Sequence, residues 1–257
     1  LLKQQVNLNT PHIHEAAQRI DMVHRIIYLI FNEGYKSTSG NEVINEDLCF
    51  EASRLAVLVS SIEGNHQPET YALLALIYFS MARFPSRLNA DGEMIELELQ
   101  DRTKWDKNLI QAATAFLAKS RNTGTITSYH LEATISSIHC MAESFESTDW
   151  ESITVCYDKL LELEDNPVIR INRAIAISKW KGPELGAKQL DKIENIISKP
   201  IKQLFYAAKA AMFFQEKKYE MAKTYYQVAM DHSKHEMDKK FLAKKIQLCN
   251  TNNIGLN

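Results

Sequence analysis

QLFYAAKAAMFFQEKKYEMAKTYYQVA, residues 203–229, is the stretch on which the fold turns. Counted from Gln203, residues Tyr206, Ala210, Phe213, Tyr219, Ala222, Tyr226 and Ala229 fall at offsets 4, 8, 11, 17, 20, 24 and 27. Small residues at three of these places let two antiparallel helices approach closely. Aromatic residues at the other four fill the gaps between them. The spacing therefore predicts a packed helix pair over 201–215 and 219–232.

These are the positions of a tetratricopeptide repeat, and the period persists toward the N-terminus while the consensus fades. Ala187 stands 35 residues before Ala222, and Ile153 stands 34 before Ala187. Tyr157 holds an aromatic place and Pro167 closes that unit. From Ser128 the pattern is a train of short amphipathic helices, over about 128–143, 149–163, 167–180, 183–197, 201–215, 219–232 and 236–249. Thr148-Asp149-Trp150-Glu151 reads as a capping box, and Asn166-Pro167 and Gly182-Pro183 open the next two helices. Two and a half to three repeats result, with Glu236–Cys249 as a polar capping helix.

Upstream, Pro11–Phe31 carries Ile13, Ala17, Ile20, Val23, Ile26, Ile27 and Ile30 at helical spacing and is expected to stop at Asn32-Glu33-Gly34. Glu46–Ile62 repeats the pattern and ends at Gly64-Asn65. Pro68 opens a third helix reaching about Arg83, apolar nearly all round and so central to the first half. Asp91-Gly92 lies between the short runs Ser86–Asn89 and Met94–Leu99, which predicts a two-stranded ribbon at about 86–99. Helix resumes over Asp101–Ser120, with Asp101 as its cap and Arg102 facing Asp106 one turn on, and a loop follows over 121–127. The expected fold is all-α: a helical bundle over 1–125 with a small β-hairpin insertion, continuing into a tetratricopeptide-like α-solenoid over 126–257.

Bulk composition bounds the function. With 45% hydrophobic and 24% charged residues the chain is globular, and eight glycines and six prolines are few, as suits helices. Thirty basic against 32 acidic side chains give a net charge of −2, so no net positive field exists for a nucleic-acid backbone. Cys49, Cys140, Cys156 and Cys249 are too far apart for a zinc motif or a disulfide framework and read as buried thiols of a reducing compartment. No 18-residue uncharged run occurs, so the cytoplasm is expected and no membrane is. Leu1 in place of Met fits a piece of a longer protein. His12 and His14 stand two apart, poor geometry for a shared metal on a helix. No metal, cofactor or catalytic residue is expected, and the chain is read as a non-enzyme.

Several ordered pieces carry a family resemblance. They are Ile27-Tyr28-Leu29-Ile30-Phe31-Asn32-Glu33-Gly34-Tyr35, then Asp91-Gly92-Glu93 with Gln100-Asp101-Arg102, then Lys104-Trp105-Asp106. Asp149-Trp150, Tyr157-Asp158, Asn166-Pro167-Val168 and Asn172-Arg173-Ala174 follow in order. The set resembles the long C-terminal extension of one group of bacterial extracytoplasmic-function (ECF) RNA polymerase sigma factors, from about residue 20 to 245. The resemblance implies a regulatory module acting in transcription initiation. Its partners would be the promoter-binding sigma domains of the same polypeptide, absent from this chain, and the RNA polymerase core, with no direct nucleic-acid contact.

Asp91, Gln100, Asp101, Arg102 and Trp105 cluster where the ribbon meets a helix, and this junction is the candidate protein-docking surface, with Trp105 as anchor. Glu33 and Tyr35 are a second candidate, facing a groove. Both groups read at least as well as purely structural. The alternative to the sigma-factor reading is a stand-alone tetratricopeptide-like scaffold that binds a peptide.

Overall fold

The structure, a computed structural model, describes residues 13–36, 44–62, 64, 67–121 and 125–254. Expectations placed on Pro11, His12 and Asn65, and on the side chains of Ile13, His14 and Ala17, lie outside the described residues. Eleven α-helices follow one another among them: α1 Ile13–Tyr35, α2 Glu46–Ser60, α3 Gln67–Met81, α4 Lys107–Ser120, α5 Ser128–Met141, α6 Trp150–Leu163, α7 Pro167–Lys181, α8 Pro183–Asp191, α9 Lys202–Gln215, α10 Tyr219–Asp231 and α11 Glu236–Ile254. None of the described helices is long and apolar enough to cross a membrane.

The helix without a polar face is the hub of the first half. Thr70, Ala72 to Ile77, Phe79 and Met81 of α3 are all buried, and α1, α2, α4 and α5 pack around it. A helix apolar all round has to be enclosed on every side, and four neighbours do this. One core joins Ile27 and Phe31 of α1, Ala52 and Ala56 of α2, Ala113 and Leu117 of α4, and Tyr129 and Ala133 of α5 around it.

Beyond α5 the cores are small and sequential. Leu131 and Ile135 of α5 meet Ile153, Cys156 and Leu160 of α6 and Ala176 of α7. Ile171 and Ala174 of α7 then meet Leu190 of α8 and Phe205 and Met212 of α9. Ala210, Ala222, Tyr226 and Ala229 close on Leu242 and Cys249 of α11. Each helix packs chiefly on the next, which is the architecture of a repeat stack. The three alanines of residues 203–229 picked out by their spacing are fully buried, as close helix approach requires. Tyr225, one place before the aromatic slot at Tyr226, stacks on both Tyr206 and Phe213. All four cysteines are buried and free.

Four local expectations need correction. Helix α1 does not stop at Asn32-Glu33-Gly34 but runs through to Tyr35. Gly34 is a crossing point: a Cβ there would lie 2.8 Å from Asn45 O and Cys49 Sγ and 2.9 Å from Leu48 Cβ. The β-ribbon at 86–99 is not formed. Only the single bridge Leu88–Met94 remains, with Ile95 N–H donating to Arg87 O at 2.8 Å and Asn89 N–H to Glu93 O at 2.9 Å. Gly92 takes the positive φ of +75° that Asp-Gly foretold, but 3-10 turns at Phe84–Ser86 and Leu97–Leu99 end the pairing on both sides. An isolated pair of strands is marginal in water, and among the described residues no third strand supports this one. Helix α4 begins at Lys107 with Asp106 as its cap, while Asp101 caps a separate 3-10 turn, so Arg102 and Asp106 do not share a helix face. Finally, Asp149 rather than Thr148 caps α6, accepting from Ser152 N–H at 2.9 Å; Thr148 Oγ1 donates back to Ser144 O instead.

Gly34→Ala tests the α1–α2 crossing. Alanine inside a helix gains about 1 kcal/mol over glycine in propensity, but its methyl would meet a backbone carbonyl and a buried thiol, an overpacking cost of about 1–3 kcal/mol. Net destabilisation in urea unfolding is expected; unchanged or raised stability would reduce Gly34 to a permissive position.

Candidate functional site

Residues 84–106 join α3 to α4 without a ladder of their own, and this strap finds its partners on four other helices, α1, α5, α7 and α11. Its base is the Trp105 ring, 2% exposed, whose Nε1–H donates to Ser86 Oγ at 2.7 Å. The Arg102 guanidinium lies 4.7 Å from the ring centre and that of Arg83 5.8 Å. Arg102 Nη1 donates to Ala142 O at 2.9 Å and to His139 O, the free carbonyls at the end of α5. A cation there also meets the negative end of the helix dipole. Gln100 is buried, accepting from Arg83 Nε at 3.2 Å and donating to Ile95 O at 3.0 Å.

A second anchor ties the strap to α1. Arg87, 4% exposed, donates through Nη1 to Tyr35 O at 2.8 Å, and its guanidinium lies 3.6 Å from the centre of the Tyr35 ring. That ring stacks on Phe31 and tilts against Phe84. Asp106 N–H reaches back to Ala82 O at 2.9 Å and closes the strap onto the end of α3.

Of the residues proposed from sequence, the structure brings Gln100, Asp101, Arg102 and Trp105 together, and Tyr35 joins them through Arg87. Asp101 is exposed and holds Thr103, accepting from its N–H at 3.0 Å and its hydroxyl at 2.6 Å. Asp91 stands at the exposed tip, its N–H donating to Asn89 Oδ1 at 3.0 Å. Glu33 is half-buried on α1. Arg87 escapes sequence reading, because nothing in Ser86-Arg87-Leu88 distinguishes a buried arginine from a solvated one.

The outer edge of the strap is acidic and meets lysines from far along the chain. Glu93 pairs with Lys244 and Glu96 with Lys245, both on α11, and Glu98 with Lys179 on α7 at 3.1 Å. Lys36, just past α1, pairs with Asp238 of α11 at 3.8 Å. The last helix of the stack is thus tied back to the first half. Leu99, 70% exposed, and Met94 stand beside these pairs on the rim.

Beneath the Arg102 contact lies His139, edge-on to Trp150 at 5.2 Å, with a buried Nδ1 that has no partner. Burial first, then the nearby Arg83 and Arg102 charges, push its pKa down to about 4. The neighbouring Cys140 thiol is pushed up to about 11, again chiefly by burial.

Residues 19–121 match the model of a family described as "Family of unknown function (DUF6596)". The match covers α1 from Arg19 through the strap to the end of α4. The chain is also similar to an uncharacterized protein of Rhizobium meliloti (strain 1021), 36% identical over 193 residues, which are 75% of this chain and 45% of that protein. It spans less than half the length of that relative. No solved structure matches.

Two predictions follow from this geometry. Exposed ion pairs are worth about 0.2–1 kcal/mol each, so the pairs on α11 form a salt-sensitive closure. Hydrogen exchange across 236–249 should quicken roughly fivefold in the Glu93→Lys, Glu96→Lys double variant. In the parent protein it should quicken with added salt. Equal exchange in variant and parent would show that α11 stays closed without these pairs. The second concerns acid. The folded state keeps His139 neutral to about pH 4, whereas the unfolded chain protonates it near the ordinary value of 6.5. Its contribution is therefore full above pH 6.5 and is lost as pH falls toward 4. About 2 kcal/mol of unfolding free energy should go between roughly pH 7 and 5, and His139→Phe should remove most of that loss in urea titrations at the two pH values.

Proposed function

We propose that this chain is the regulatory C-terminal part of an ECF-type RNA polymerase sigma factor, acting in transcription initiation through protein–protein contacts and without catalysis. Its partners in this reading are the DNA-binding sigma domains of the same polypeptide and the polymerase core. The supporting observation is the strap. The ordered motif pieces that carry the resemblance, Asp91-Gly92-Glu93 and Gln100-Asp101-Arg102 with Trp105, come together in one segment spanning several helices. A relative of which the matched residues make up 45% leaves room for further domains in the same polypeptide. The net charge of −2 agrees with leaving DNA contact to those domains.

Within the strap the roles divide by exposure. Arg102, Trp105 and Gln100 face inward and set its path, so they position the surface rather than form it. Asp91, Met94, Leu99 and Asp101 are the side chains a partner can reach. An apolar residue ringed by charged ones fits the core-and-rim pattern of a transient interface. The second reading, a peptide-binding scaffold, draws on the repeat stack itself.

Leu99→Arg combined with Asp91→Asn in the full-length protein tests the rim. Transcription from its target promoter should change several-fold while helicity by circular dichroism stays that of the parent. Unchanged transcription with intact helicity would remove the rim from the docking surface.

A further inference from the structure

Away from the strap, Asp21 and His24 lie one turn apart on α1, and Glu69 stands in the first turn of α3. Their ligand atoms all lie within 4.8 Å of one another. The His24 imidazole is fully buried, with Nε2 at 2.8 Å from Thr70 Oγ1 and Nδ1 at 3.7 Å from Glu69 Oε2. The Tyr129 ring stands edge-on to it at 6.3 Å.

We propose that Asp21, His24 and Glu69 bind a divalent transition-metal cation of the Zn2+ class, which pins α1 to the central helix α3. The three groups come from two helices whose mutual packing is already fixed by Ile20, Ile27 and Phe31 in the common core. An Asp-x-x-His pair on one helical turn presents both ligands to the same side, because residues three apart are neighbours. Thr70 Oγ1 beside Nε2 is the outer partner that a metal-binding histidine uses to set its tautomer, leaving Nδ1 toward the two carboxylates.

Ligands about 2.0–2.2 Å from an ion stand roughly 3.3 Å apart in a tetrahedron. The His24–Glu69 separation of 3.7 Å needs only a small contraction, and the exposed side chain of Asp21 turns in freely. One imidazole nitrogen with two carboxylate oxygens suits Zn2+ or Mn2+, with water completing the shell. Mg2+ and Ca2+ prefer all-oxygen surroundings. A simple His24–Glu69 ion pair would explain two of these groups, but it gives Asp21 no part and no sensitivity to metal.

The experiment is a Zn2+ titration of chelator-stripped protein by calorimetry and thermal unfolding, with Mg2+ as control. One equivalent of Zn2+ should bind and raise the melting temperature, while Mg2+ at the same concentration should not. Asp21→Asn and Glu69→Gln change partly or fully exposed carboxylates and should leave apo-protein helicity intact. Each should weaken Zn2+ binding at least tenfold. Absent Zn2+ stabilisation would overturn the site, and so would binding undiminished in both variants, which would put the ion elsewhere. Neither result bears on the transcription reading, which involves other residues.

Discussion

The position of the strap depends on one contact, the Arg102 guanidinium set between the Trp105 ring and the last carbonyls of α5. A connection of some twenty residues without a ladder leaves backbone groups and charges to be satisfied one by one. Arg102 does this for the end of α5, Arg87 for the end of α1, and Asp106 N–H for the end of α3. Three helix C-termini, each with unpaired carbonyls, thus converge on one segment. Removing Arg102 would strip partners from α5 and support from Trp105 together. The helix ends and the strap are consequently one unit, although far apart in sequence.

The rest of the molecule obeys a simpler rule. From α5 onward each small core is shared by successive helices, so packing is local and stability accumulates by nearest neighbours. Such a stack has no intrinsic reason to return to its start. The lysines of α7 and α11 supply one by meeting Glu93, Glu96 and Glu98. Lys209, nearly buried on α9, plays a comparable local part by bridging Asp191 at 2.8 Å and Glu194 at 3.0 Å across the break after α8.

What could be read from sequence, and what could not, follows this division. Alanine and aromatic spacing over 203–229 reported close helix pairs directly, because local packing leaves a local pattern. The apolar run of α3 likewise announced a central helix. Asp91-Gly92 gave the turn correctly, yet not what the flanking residues do, since their partners are carbonyls and lysines up to 151 residues away. Gly34 looked like a terminator because glycine signals both helix ends and close crossings, and only the position of α2 separates them. Gln100, Arg102 and Trp105 are neighbours in sequence and meet around Arg83 in the fold. That the group faces inward is decided by α5, whose docking leaves no mark in those residues. Asp21 and His24 show their spacing in the sequence, but the link to Glu69 is a tertiary fact.

Energetics sets the two sides of the strap apart. At its base buried Trp105 and Gln100 are held by the half-buried Arg83 and Arg102, and leaving a buried donor or acceptor such as Gln100 unpaired costs about 1–3 kcal/mol. At its edge the ion pairs are exposed, and each is worth a fraction of that and is screened by salt. A partner that offered comparable charge could exchange with Glu93 or Glu96 at almost no net cost, while the base stayed fixed. The strap can therefore keep its shape and change its company. A module that works by contact, as proposed for this chain, requires that separation: a rigid presentation of Leu99 and its neighbours beside links weak enough to be traded.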